Sequence, residues 1–205
     1  MKTLVVVPMK DAAASKTRLA AAMPAAERER MSLALFERAQ RFFRVQFPEF
    51  ERLVVTPSSS IAALAKADGA AVLVEEGAPG LNSAARSSFD WARKAGFGRL
   101  LVVPADIPVW LRAEVDELLE EGARSPVVIA RAHDGGTNAL LIDLHLADRF
   151  DFRYGTDSAS RHSESANAAG LGARTRTWPF LSHDIDTVAD CLILSQKLAA
   201  LTNTR

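Results

Sequence analysis

Asp106 lies in Pro104-Ala105-Asp106-Ile107-Pro108, directly after the apolar run 100–103, so its carboxylate is expected where a buried strand ends and a loop opens. Open α/β sheets bind ligands at such strand ends. The flanking prolines hold the backbone extended or turned, and a carboxylate placed there suits a divalent cation on a nucleotide phosphate. The same residue also reads as a turn or N-cap Asp before the next helix. Asp184 and Asp186 lie two apart, which on an extended segment puts both carboxylates on one side. Either can ligate metal, and Asp186 or Thr187 can also cap the helix that follows. Oxygen-only ligands match magnesium, one or two ions, better than a softer metal.

A second group is basic. The segment Pro8-Met9-Lys10-Asp11-Ala12-Ala13-Ala14-Ser15-Lys16-Thr17-Arg18-Leu19 follows the first apolar run and contains no glycine. It is neither a Walker loop nor a dinucleotide fingerprint. Lys10, Lys16 and Arg18 could clamp a triphosphate, with Arg18 bidentate and the lysines as point charges, or form a solvated basic loop. Three further loops carry polar groups. Gly80 and Asn82 sit in a turn-rich stretch where Asn82 is a preferred N-cap type for a helix expected near Ser83, and its amide can also offer a donor and an acceptor to a ligand. Asp134-Gly135-Gly136-Thr137-Asn138 is either a hairpin turn or a cradle for an anion. Phe152-Arg153-Tyr154-Gly155-Thr156-Asp157-Ser158 enters a helix whose N-terminal amides favour an anion, while Thr156 and Ser158 are also cap residues. His162, one turn into that helix, is of a kind more often used for packing.

The elements that must position these groups follow from periodicity. Strand-length apolar runs occur at 4–7, 53–55, 70–74, 100–103, 127–130 and 139–142, and stretches of helical period at 25–45, 60–67, 83–95 and 113–121. The alternation predicts βαβ units and a largely parallel sheet. Runs without in/out alternation predict helices on both faces. A helix over 158–169, a strand near 174–178 and a last helix over 187–201 complete the chain.

Composition narrows the partners. Among 205 residues, 25 Lys and Arg balance 25 Asp and Glu, so no basic excess marks a nucleic-acid or membrane surface. A small molecule is the expected partner, and one globular domain over 1–205 the expected unit. Cys191 is the single cysteine, which excludes an intrachain disulfide and cysteine-rich metal sites; its apolar helical setting predicts core packing. The run 4–7 is too short for a signal-peptide core and ends at Pro8, so a cytoplasmic protein is expected. No nucleophile is placed with His133 and Asp134 in a triad-like order. The apolar helices would permit a homodimer.

Val7-Pro8-Met9-Lys10, Lys16-Thr17-Arg18-Leu19, Gly80-Leu81-Asn82, Pro104-Ala105-Asp106-Ile107-Pro108, Asp134-Gly135-Gly136-Thr137-Asn138-Ala139-Leu140, Phe152-Arg153-Tyr154-Gly155 with Ser158 and His162, and Asp184-Ile185-Asp186-Thr187 occur in one order. Together they resemble the 2-phospho-L-lactate guanylyltransferase family of the MobA-like nucleotidyltransferases, which serves deazaflavin coenzyme biosynthesis. The resemblance implies a single-domain three-layer α/β sandwich with a mostly parallel, mixed central sheet. It implies transfer of GMP from GTP to a phosphorylated three-carbon acid (2-phospho-L-lactate, phosphoenolpyruvate or 3-phospho-D-glycerate), with release of pyrophosphate. By resemblance Lys16, Arg18, Asp106 and Asp186 are catalytic. Pro8, Lys10, Lys16, Arg18, Gly80 and Asn82 hold the nucleotide, and Thr137, Asn138, Arg153, Gly155, Ser158 and His162 face the acid. Magnesium falls to Asp106 and Asp186, with Asp184 the other member of the pair. Met9 and Trp110 depart from the family's commoner residues without touching this chemistry. A MobA-like enzyme of other nucleotide or acceptor, and a non-catalytic nucleotide-binding module, stay open as alternatives.

Overall fold

The protein's structure, a computed structural model, describes residues 1–75 and 80–202; the loop residues 76–79 expected before Gly80 lie outside them. Strands β1 (Thr3–Pro8), β2 (Glu51–Thr56), β3 (Ala71–Val74), β4 (Arg99–Val102), β5 (Val127–Arg131), β6 (Thr137–Asp143) and β7 (Ala173–Arg176) form one sheet in the order β3-β2-β1-β4-β6-β5-β7. Every neighbouring pair is parallel except those of β6, which runs antiparallel to both β4 and β5. The exception has a local cause. β5 returns directly into β6 through the turn at 132–136, where Gly135 takes φ +89°, a backbone angle that glycine adopts without strain.

Helices α1 (Ala25–Gln46), α2 (Ser59–Ala67), α3 (Leu81–Lys94), α4 (Arg112–Glu121), α5 (Ser158–Ala168) and α6 (Val188–Thr202) supply the crossovers and the last element. In α1 the buried residues Ser32, Leu35, Phe36, Ala39, Gln40 and Phe43 recur every three or four positions, which makes one stripe face the sheet. Successive strand residues point to opposite faces, and both faces are covered. Val5, Val7, Val54, Leu101 and Val128 pack with Phe36 and Phe43 of α1, Ile61 of α2 and Leu118 of α4. Leu4, Val6, Leu53, Leu100 and Ile129 pack with Phe89 of α3 and with Ala159 and Ala166 of α5. The three layers expected from uninterrupted apolar strands are present, and each fully buried Leu or Phe contributes on the order of 1.5–3 kcal/mol. Trp110 joins this core on the α1 side, stacked on Phe42 at 5.4 Å between ring centroids.

Helix α6 departs from expectation. Cys191 is exposed rather than packed in the core, and Val188, Leu192, Ile193 and Leu198 are exposed with it. An apolar composition sets a tendency to be covered; it does not supply the covering layer. Among the described residues no helix is long and apolar enough to cross a membrane.

Candidate active site

The chain goes from β1 to β2 and β3 on one side, then places β4 on the other side of β1. The carboxyl ends of β1 and β4 therefore flank the point where strand order reverses, the ligand crevice of an open α/β sheet. A cleft of about 500 Å³ opens there, lined among others by Pro8, Lys10, Lys16, Gly80, Asp106 and Asp186. β1 closes at Pro8, which has no N–H to give the sheet, and the Met9 N–H makes one last bond to the Val55 carbonyl of β2. From there the chain makes two short 3-10 turns, Ala12–Ala14 and Thr17–Leu19. Lys16 links them with φ +55°, a left-handed conformation that costs a non-glycine residue about 1–2 kcal/mol.

That strained backbone aims a buried cation. The Lys16 side chain is only 5% exposed, and its Nζ donates to Asp106 Oδ2 at 2.6 Å and to Asp186 Oδ1 at 3.0 Å. Burial alone would lower the ammonium's pKa. The charges of and hydrogen bonds to Asp106 and Asp186 outweigh it and hold the group above its ordinary value, so Lys16 stays charged. Arg18 reaches Asp186 at 3.4 Å from an exposed position.

The two acidic segments meet although far apart in sequence. The Ile185 N–H donates to the Asp106 carbonyl, and one oxygen each from Asp106, Asp184 and Asp186 lies within 4.8 Å of the others. Asp184 is held by the Asn138 amide, which donates to its Oδ1 at 3.1 Å. Burial first, and then the charge of Asp106, raise the Asp184 pKa to about 6. Asp190 fixes the next carboxylate along. One of its oxygens accepts from the Asp186 N–H at 3.0 Å, the Thr187 N–H at 2.6 Å and the Thr187 hydroxyl at 2.9 Å. This is a capping box at the start of α6. Asp190 was absent from the expected site, yet Thr187-Val188-Ala189-Asp190 carries the sequence signature of such a cap.

The remaining loops meet beside β6. Gly135 and Gly136 take the hairpin option: the Gly136 N–H donates to Asp134 Oδ1 at 2.8 Å, and the Gly135 N–H to the Ala132 carbonyl. Neither amide is left to cradle an anion. At the start of α5 the Ser158 and Ala159 N–H groups donate to the Gly155 and Gly135 carbonyls, so these first-turn amides are also engaged internally. Thr137, Ser158 and His162 form one hydroxyl and imidazole cluster. The Arg153 backbone N–H joins it through His162, while the Arg153 side chain pairs outward with Asp151. Asn82 sits within the first turn of α3, which begins at Leu81 rather than Ser83. Its Oδ1 accepts from the Tyr154 N–H at 2.7 Å and its Nδ2 donates to the Tyr154 carbonyl at 3.2 Å. The side chain ties α3 to the 152–158 loop instead of capping the helix.

A crevice of this kind, with acidic side chains on two loops and a cation between them, suits a nucleotide phosphate and a divalent cation at the switch point of an α/β sheet. The backbone superposes on a nucleotidyl transferase from Methanothermobacter thermautotrophicus with TM-score 0.65 at 16% identity, over 98% of this chain and 99% of that one. A family model described as "Guanylyl transferase CofC like" matches residues 3–196, and the chain belongs to that family. It is 36% identical over 196 residues to a Colwellia psychrerythraea protein named 3-phospho-D-glycerate guanylyltransferase, covering 95% of this chain and 92% of that one. It is 31% identical over 195 residues to a Methanothermobacter thermautotrophicus protein named 2-phospho-L-lactate guanylyltransferase, with coverage of 93% and 82%. A Sphaerobacter thermophilus protein named phosphoenolpyruvate guanylyltransferase is 33% identical over 192 residues, with coverage of 93% and 91%.

Proposed function

We propose that this protein joins GMP from GTP to a phosphorylated three-carbon acid, 2-phospho-L-lactate, phosphoenolpyruvate or 3-phospho-D-glycerate, in deazaflavin coenzyme biosynthesis. A phosphate oxygen of the acid attacks the α-phosphorus of GTP. The bond from that phosphorus to the oxygen bridging to the β-phosphate breaks, and pyrophosphate leaves with the bonding pair. Such a displacement needs alignment and charge neutralisation more than a protein nucleophile.

The observation that carries this reading is the trio Asp106, Asp184 and Asp186, of which Asp106 and Asp186 line the cleft with the Lys16 ammonium against both. The trio also fits a magnesium ion. Asp106 Oδ1 is buried and has no hydrogen-bond partner, an arrangement that normally costs 1–3 kcal/mol or more and calls for an occupant. The donor set is oxygen throughout, as a hard cation requires. Asp106 and Asp186 would hold magnesium, with Asp184 beside them. Bound there, the ion would supply neutralisation of phosphate charge in the transition state. Lys16, Lys10 and Arg18 bind and orient the triphosphate, and Gly80 gives the guanosine close approach to backbone. Thr137 and its neighbours receive the acid, and Asn138, the next residue of β6, holds Asp184 of the trio.

The test is a pyrophosphate-release assay with magnesium, run over GTP, ATP, CTP and UTP against the three acids, with the product mass measured. The expected result is turnover with GTP and at least one acid, giving a product of mass equal to GMP plus the acid less water. Turnover only with another nucleotide would assign a different MobA-like reaction, and nucleotide binding without turnover would assign a binding module.

A further inference from the structure

We propose that His162 is a positioning residue, which never touches the substrate but turns the Thr137 hydroxyl proton outward toward the phosphorylated acid. The inference rests on the acceptor site proposed above. The Arg153 backbone N–H donates to His162 Nε2 at 2.9 Å. Nε2 therefore carries no proton, and the neutral ring bears its hydrogen on Nδ1. Nδ1 lies 3.0 Å from Thr137 Oγ1 and so donates to it. The Ser158 hydroxyl donates to the same oxygen, also at 3.0 Å.

A hydroxyl oxygen has two lone pairs and one hydrogen. With both lone pairs of Thr137 Oγ1 engaged, only its hydrogen is left, and that hydrogen must find an acceptor elsewhere. Ser158 and His162 are buried at 2% and 0% exposure, whereas Thr137 is partly exposed, so Thr137 is the member of the cluster that a ligand can reach. Thr137 begins β6 and is followed by Asn138, which holds Asp184. A carboxylate or phosphate oxygen of the acid is the matching partner for this polarised proton. The ring cannot turn to undo this arrangement, since it is stacked on Phe150 and edge-on to Tyr154. Flipping it would put the Cε1–H where Nε2 now accepts from the Arg153 N–H. Burial and then the charge of Arg161 lower the ring's pKa to about 4, which keeps the single-proton form through neutral pH.

The Ser158 proton is committed to Thr137, so Ser158 also acts through that residue. The test is steady-state kinetics on the full chain, measuring KM for GTP and for the acid. The variants are Thr137→Val, His162→Phe, His162→Asn and Ser158→Ala, alone and with the last three each combined with Thr137→Val. Thr137→Val should raise the acid KM about tenfold or more and leave GTP KM within about twofold, as loss of one hydrogen bond to a charged group does. His162→Phe should raise it about tenfold alone and less than about twofold on Thr137→Val. His162→Asn, whose amide reaches the Nδ1 position, should recover most of the loss. An equal factor on both backgrounds, Asn as damaging as Phe, or GTP and acid KM rising together would overturn the proposal. Should the His162 variants fail to fold, Ser158→Ala carries the test by the same criterion of non-additivity with Thr137→Val. A folded wild type that uses no acid would overturn the functional reading itself, whereas an active wild type with additive variants overturns only the role of His162.

Discussion

Acidification should weaken the wild-type fold more than the fold of His162→Asn, by about 2–3 kcal/mol between pH 7 and pH 4.5. In the native protein the His162 ring is fully buried and its pKa is lowered from 6.5 to about 4, by burial first and then by the charge of Arg161. An unfolded chain takes up the proton as pH falls below about 6.5, while the native ring resists it until about 4. The stability that the neutral ring contributes is therefore complete above pH 6.5 and is lost as pH falls toward 4. Each pKa unit is worth about 1.4 kcal/mol, so most of a shift of this size is expressed by pH 4.5. Urea unfolding followed by tryptophan fluorescence at pH 7, 6, 5 and 4.5 gives both curves. Protonation of carboxylates and of the other histidines is common to the two proteins and cancels in the difference. Parallel curves would show that the ring is not held neutral by its surroundings, and so would a wild type that gains stability relative to the variant in acid.

Two further variants separate parts of the site. Lys16→Met should raise GTP KM about tenfold or more whichever acid is supplied, because the ammonium is assigned to the triphosphate; a rise confined to the acid KM would reverse that assignment. Asp190→Ala removes the carboxylate that accepts from Asp186 and Thr187. The magnesium concentration for half-maximal turnover should then rise several-fold, with a loss of about 1 kcal/mol in stability; unchanged magnesium dependence in a titration would show that Asp186 needs no such support.

The strands were legible because both of their faces are apolar, as in β1 and β4, and because Pro8 and Pro104 stop what precedes them. Asp106 was legible for the same reason: it stands just past a buried run. The meeting of Asp184 and Asp186 with Asp106 was not a matter of pattern. It depends on the segment before α6 folding back to the end of β4, where the Ile185 N–H finds the Asp106 carbonyl, and only the family resemblance pointed to it. Local pattern also could not say how hydrogen-bonding capacity is shared. Asn82 is the right type for a cap or a purine, and its amide is taken up by the Tyr154 backbone. The amides of Gly135 and Gly136 suit an anion by type, and the turn itself uses them. Cys191 failed for a different reason, since an apolar helix at the end of a chain is buried only where another layer reaches it.

On the proposed reading Asp106, which lines the cleft, anchors metal-assisted transfer. The turnover of Asp106→Ala with GTP, magnesium and the best of the three acids, set beside its thermal unfolding, decides that role. Removing a major electrostatic contact to the transition state lowers turnover by roughly two to three orders of magnitude, and Lys16 keeps Asp186 as a partner at 3.0 Å, so that loss is expected in a protein that remains folded. Turnover within a few-fold of wild type in a folded Asp106→Ala protein would contradict that reading.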